Sequence, residues 1–259
     1  MARTSMWRRG AAALTAALVL AACAPEPGGA LRPRLALFVG VDISGSFVHG
    51  PNFDDALAFL SRYLYAHLTG AGGLEVPDAL FIASIGGAKP GEPKTFFPKQ
   101  TVQGKSVEEI EKQLRELFAK KNTNPLTDFN AFFEQVAETV RNKNLVLRPI
   151  SIVMLSDGKS AVSGQKPNYG AISLEPLENL SRNVTVRLLY TDAETGRRWQ
   201  DQVPRRRVKV WTQDAAVMTY WKDPSTWDAG KPVEQQEKFF LWLKDNVDFA
   251  TRSRRVTGS

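Results

Sequence analysis

The chain of 259 residues is 43% hydrophobic and 24% charged, a globular composition long enough for one large domain with a full core. Its formal charge of +7 falls to +4 once Arg3, Arg8 and Arg9 of the first 22 residues are set aside, an excess too mild to imply nucleic acid. The single cysteine, Cys23, excludes intrachain disulfides and thiolate metal clusters, and two histidines, His49 and His67, leave zinc poorly provided for.

Residues 1–22 carry a basic start with Arg8 and Arg9, then an apolar segment from Ala11 to Ala22. At about a dozen residues it is too short for the roughly 20 that span a bilayer, so it reads as a secretory signal peptide. Leu20-Ala21-Ala22-Cys23 resembles a bacterial lipobox, which implies a lipidated Cys23 at the mature amino terminus. More than one acyl chain at that residue gives stable anchoring. Ala24 after the cysteine implies, by the same resemblance, sorting to the outer membrane of a cell with two membranes. Residues 23–33, rich in Pro and Gly, read as a flexible tether.

Leu35 to Phe47, LALFVGVDISGSF, is an apolar run without helical periodicity, which predicts a strand buried on both faces. It ends in Asp42, Ser44 and Ser46, oxygen donors at alternate positions that suit a hard divalent cation. A helix is expected over 52–69, with Phe53, Ala56, Leu57, Leu60, Leu64 and Leu68 on one face and Gly70 after its end. His67 is expected at the helix surface or core edge. A strand follows at 78–86, then a loop over 87–105 with one edge strand, because its prolines bar a central one.

Ser106 with Glu109 predicts a capping box, for a helix ending near Lys120-Lys121. A further helix starts near Thr127 and buries Phe129, Phe132, Phe133, Val136 and Val140. Pro149 to Leu155 reads as another buried strand, ending in Ser156-Asp157-Gly158. A short helix at about 172–181, a strand at 183–190, a last strand at 207–212 and a helix over 232–249 complete the pattern. The span 213–231 has no clear pattern, and the tail 251–259 should fray. Strands alternating with helices predict an α/β fold, a doubly wound and mostly parallel sheet with helices on both faces.

Such sheets bind ligands beyond the carboxyl ends of their strands. Asp42, Ser44 and Ser46, then Thr127 at a helix start, then Asp157 after an apolar strand, all fall at that edge. Taken singly, Thr127 is also a plausible helix cap and Asp157-Gly158 a plain turn. Together, in this order, they resemble a von Willebrand factor A domain, a Rossmann-like fold with a metal-ion-dependent adhesion site, or MIDAS. The resemblance covers residues 34–215 as a single domain, with 216–250 as a helical extension that it does not explain. It implies that Asp42, Ser44, Ser46, Thr127 and Asp157 hold Mg²⁺, with Mn²⁺ or Ca²⁺ as substitutes. It further implies that the metal recognises an Asp or Glu carboxylate of a protein partner, without catalysis.

Two other readings compete. A metal-dependent hydrolase needs a general base, and His49 is the one candidate near the first motif. A polyanion-binding surface is suggested by Arg197-Arg198-Trp199 and Arg205-Arg206-Arg207-Val208-Lys209 with Trp211. A solvated face explains those arginines more simply, and for an exported lipoprotein the polyanion would be anionic lipid or envelope polymer rather than nucleic acid.

Overall fold

Six strands frame the computed structural model, which describes residues 34–85, 96–119, 127–159 and 167–248. They are β1 (Ala36–Val41), β2 (Ala79–Ser84), β3 (Phe97–Pro98), β4 (Ile150–Leu155), β5 (Val184–Thr191) and β6 (Lys209–Asp214), in the spatial order β3-β2-β1-β4-β5-β6. Every pairing is parallel except that of β2 with β3. The exception is a two-residue edge strand containing Pro98, which cannot donate to a central ladder.

The strands β1, β4 and β5 are buried at every position, so both faces of the sheet must be covered. Side chains alternate between those faces. Leu37, Val39 and Val41 of β1 face α2 (Phe53–Thr69) and α3 (Val107–Leu117), together with α7 (Ala215–Met218) and α8 (Glu237–Asn246). Ala36 and Phe38 face α4 (Phe129–Asn142), α5 (Glu175–Glu178) and α6 (Ala193–Gln202). A four-residue helix, α1 (Gly45–Val48), follows β1 directly. The result is the doubly wound α/β architecture expected from the sequence.

Local signals explain the helix ends. Gly70 closes α2 at φ 73°, and Ser106 with Glu109 forms a complete capping box on α3. Beyond Gly70, a Cβ on Gly72 would lie 2.2 Å from the Phe240 ring, so α8 packs directly on the turn after α2. Trp221 and Trp227 stack on the Arg62 guanidinium at 5.0 and 5.5 Å, fastening the chain after β6 to α2.

Several expectations need correction. The α3 helix stops at Leu117, short of Lys120-Lys121. The next helix starts at Phe129, and Asp128 caps it through the Ala131 N–H at 2.9 Å, so Thr127 is not the cap. The helix expected over 172–181 is a single turn at Glu175–Glu178, and β6 begins two residues later than expected. The α6 helix was not foreseen, because Trp199 is its one large buried side chain. With that ring fully buried, Trp199 is no part of a polyanion surface. Arg205 is likewise committed, donating to the carbonyls of Trp199, Gln200 and Val203. His67 is only 3% exposed rather than at the surface. Cys23, with the signal and tether segments 1–33 and the tail 251–259, lies outside the described residues. Among the described residues no helix is long and apolar enough to cross a membrane.

Candidate metal site

The sheet reverses its strand order between β1 and β4, since the chain runs from β1 to β2 on one side and from β4 to β5 on the other. Loops leaving the carboxyl ends of these two strands diverge there and open a crevice. Asp42 is the first residue after β1, and Ser156-Asp157 are the first after β4.

Asp42 extends the ladder by one bond, its N–H donating to the Leu155 carbonyl at 2.9 Å. Its side chain is fully buried. One carboxylate oxygen accepts the Ser44 N–H at 2.8 Å, and the other accepts the Ser156 hydroxyl at 2.5 Å. The Ser156 oxygen in turn accepts the Gly158 N–H at 2.9 Å. Burial pushes the Asp42 carboxyl up to about 6; the bonds from Ser156 and Ser44 oppose the rise, and the neighbouring Asp157 charge adds to it. No Lys or Arg pairs with Asp42 among the described residues.

The Ser44 and Ser46 hydroxyls stand 3.2 Å apart. Neighbouring oxygens around Mg²⁺, each about 2.1 Å from the ion, are separated by about 3 Å. Ser46 lies in α1, so the turn from Asp42 into that helix fixes the spacing.

Asp157 is half-buried, and its Oδ1 accepts the Lys159 N–H at 3.0 Å. Gly158 holds the turn at φ 76°, where a Cβ would meet Leu188 and Thr195 at 2.9 Å. The Gly158 carbonyl accepts the indole N–H of Trp199 at 2.8 Å, so α6 anchors the loop that carries Asp157.

Thr127 is 2% exposed, and its hydroxyl is buried without a hydrogen-bond partner. An unpaired buried hydroxyl costs about 1–3 kcal/mol. Two residues on, the Phe129 ring packs edge-on against Trp199 at 4.9 Å, and Trp199 is the side chain that bonds the Gly158 carbonyl. The start of α4 is thereby brought to the loop that carries Asp157. Because Asp128 takes the capping role, Thr127 is left with no helical duty.

A cleft of about 280 Å³ opens at this edge, with Ser46, Asp157, Lys159, Asp192 and Asp214 on its walls. The Lys159 ammonium lies 3.5 Å from Asp192, and Asp192 and Asp214 cap α6 and α7 through N–H bonds of 2.7 Å. The mouth therefore carries more negative than positive charge. His49 is exposed and does not line the cleft.

Among the described residues no three His, Cys, Asp or Glu side chains cluster as metal ligands. A cation here would take hydroxyl oxygens beside carboxylates, and the donors present fit a hard divalent ion. The orphaned Thr127 hydroxyl and the uncompensated Asp42 carboxyl are the two groups that such an ion would satisfy. Ser156, which orients Asp42, was missed from the sequence although it sits next to Asp157. Asp192 and Asp214 were missed because helix-capping aspartates carry no mark of their own.

No protein-family model and no curated protein matches the chain. Solved structures do resemble it at low identity. Proximal thread matrix protein 1 from the mussel byssus, in a second crystal form, is 13% identical, with 71% of this chain and 46% of that one covered at a TM-score of 0.46. The same mussel protein with a zinc-occupied MIDAS motif gives 13%, 72%, 46% and 0.45. The human COPII-coat protein Sec24c gives 9%, 70%, 30% and 0.39. The chain spans less than half the length of these solved chains.

Proposed function

We propose that Asp42, Ser44, Ser46, Thr127 and Asp157 hold a divalent cation at the carboxyl edge of the sheet, and that the chain uses it to bind an Asp or Glu carboxylate of a protein partner. This is the role that the resemblance to von Willebrand factor A domains implies. The bound cation would supply a positive charge with room for one more anionic oxygen. Everything else is done by the chain's own residues. Ser156 and the Ser44 N–H hold Asp42 in place, so its carboxylate need not reorganise. Ser44 and Ser46 present two oxygens at a fixed spacing. Asp157, Asp192 and Asp214 line the mouth and repel an acidic side chain unless a cation is present, which makes recognition metal-dependent.

Mg²⁺ is the expected ion, with Mn²⁺ or Ca²⁺ as substitutes. No bond is made or broken in this reading, and no nucleic acid is involved. With Cys23 lipidated, the domain works at the cell envelope, on the outer membrane where there are two.

The single observation that carries the proposal is the buried, unpartnered Thr127 hydroxyl, at the start of the helix whose Phe129 packs on the Trp199 that anchors the Asp157 loop. Thermal unfolding of the full chain against Mg²⁺ tests it, because an ion bound only to the native state raises Tm. The rise should saturate, reverse with EDTA and vanish in Thr127→Val. The same rise in Thr127→Val, or none with Mg²⁺, Mn²⁺ or Ca²⁺, overturns the site. A metal-dependent rise without EDTA-sensitive capture of an acidic protein ligand would keep the site and overturn the adhesive role.

A further inference from the structure

The parallel sheet has a second edge, at the amino-terminal ends of its strands, and this one is basic. A cavity of about 680 Å³ opens there, between the starts of β1, β4, β5 and β6. Arg34, Arg182, Arg187, Lys209 and Lys244 line it, against the carboxylates of Glu75 and Asp248. Arg187 is a built part of the wall rather than a surface side chain, at 3% exposure. Its guanidinium donates to the Ser151 hydroxyl at 2.7 Å and lies 3.5 Å from Asp248, which also meets the His67 ring at 3.1 Å. Asp248 balances Arg187, and the Lys244 ammonium donates to the Gly72 carbonyl at 2.5 Å. Arg34, Arg182 and Lys209 have no ion pair among the described residues, so the rim keeps a net positive charge there even with Glu75 set against it.

The same mouth carries an apolar tip. Leu147 lines it at 72% exposure, and Val146 beside it is 41% exposed. Leu147 sits at φ 69°, a conformation that non-glycine residues adopt uncommonly. Its N–H donates to the Leu180 carbonyl at 2.8 Å, which holds the tip in place. Cations with an exposed aliphatic side chain among them are the chemistry that meets a phospholipid surface.

We propose that this cavity binds a phosphate-type anion, with the phospholipid headgroup as its source and Leu147 entering the apolar layer beneath. The chain enters β1 through Arg34, so this is the edge into which the segment after Cys23 leads. The metal site lies at the other end of β1, with Asp42 eight residues after Arg34, or about 26 Å away at the rise of a strand. The two proposals therefore stand separately, and phosphate binding should ignore EDTA.

The test uses the full chain with Cys23→Ser, so that no acyl group contributes, and cosedimentation with vesicles in EDTA. Binding to phosphatidylcholine vesicles that contain phosphatidylglycerol, but not to phosphatidylcholine alone, is expected, and it should weaken with salt. Arg182→Glu/Lys209→Glu, at two exposed and unpaired positions, should lower the affinity on the order of tenfold or more. Lys112→Glu/Arg197→Glu makes the same charge change elsewhere and should bind like the parent. Leu147→Ser should weaken vesicle binding alone. A second arm measures Tm against inorganic phosphate. Protection by phosphate that is lost in the rim variant, without vesicle binding, keeps the site and assigns it a soluble phosphate. No effect of phosphate and no vesicle binding, or equal loss in the two charge variants, overturns the proposal.

Discussion

Two buried aspartates sit at opposite ends of this sheet, and the protein treats them in opposite ways. Asp248, at the amino-terminal edge, meets His67 at 3.1 Å and Arg187 at 3.5 Å. Burial alone would raise its carboxyl, but the His67 hydrogen bond and the His67 and Arg187 charges outweigh this and hold it below the usual carboxylate range. Asp42, at the carboxyl edge, has hydroxyl and amide partners and another carboxylate nearby, and it is pushed up to about 6. The contrast separates a structural ion pair from a ligand. A carboxylate balanced by the protein's own cations has no use for an external ion, whereas one left with neutral donors and a like charge gains from it.

The largest loss of stability is expected at Asp248. Asp248→Ala leaves Arg187 buried and uncompensated, and should cost about 3–5 kcal/mol in urea unfolding of the full chain. Asp42→Asn should cost less, about 1–2 kcal/mol, because it relieves a desolvated charge while weakening two hydrogen bonds. Equal losses in the two variants would erase the distinction.

Added cation should act at one end only. Mg²⁺ at a hundred times its Kd should stabilise the parent chain by about 2.7 kcal/mol, Asp248→Ala by a similar increment, and Asp42→Asn not at all. Urea midpoints with and without EDTA read all three.

Asp248 is the buried contributor to the acid limb, beside the more exposed Glu111, Asp192, Asp223 and Asp228, which are also held low. A carboxyl depressed on folding contributes stability above its unfolded pKa of about 3.9 and loses it as the pH falls through the folded value. The parent chain should lose stability below about pH 4 by an amount that Asp248→Asn no longer shows. An acid limb of the same size in that variant would assign it to other carboxylates.

The smallest effect is at Thr127. Thr127→Val replaces an unpartnered hydroxyl with a methyl of the same shape, so without metal it should be neutral or stabilising by about 1 kcal/mol. A clear loss of stability would mean that the hydroxyl is satisfied within the protein.

The core strands were legible because β1 is an unbroken apolar run, β4 is interrupted only by Ser151, and β5 is rich in β-branched and aliphatic residues in spite of Arg187. Capping chemistry at Ser106 and the glycine at position 70 marked two helix ends correctly. The α6 helix escaped because a surface helix with one buried anchor, Trp199, has almost no apolar period to read. At the candidate site the aligned residues were chosen by resemblance, but their support was hidden. Ser156 holds Asp42 from 114 positions away. Thr127 was expected at the start of a helix that Asp128 in fact caps. The basic cavity was illegible altogether, since its cations come from five separate places along the chain and meet only when the strands align. The arginines that did stand out, around 197–207, include one already spent on helix-end carbonyls.

The metal site is tested most directly by titration calorimetry of Mg²⁺ into the full chain and into Asp42→Asn. Saturable binding at a single site is expected in the parent chain and none in the variant, with both folded at the same temperature. Identical heats in the two proteins, or no heat in either, would contradict it.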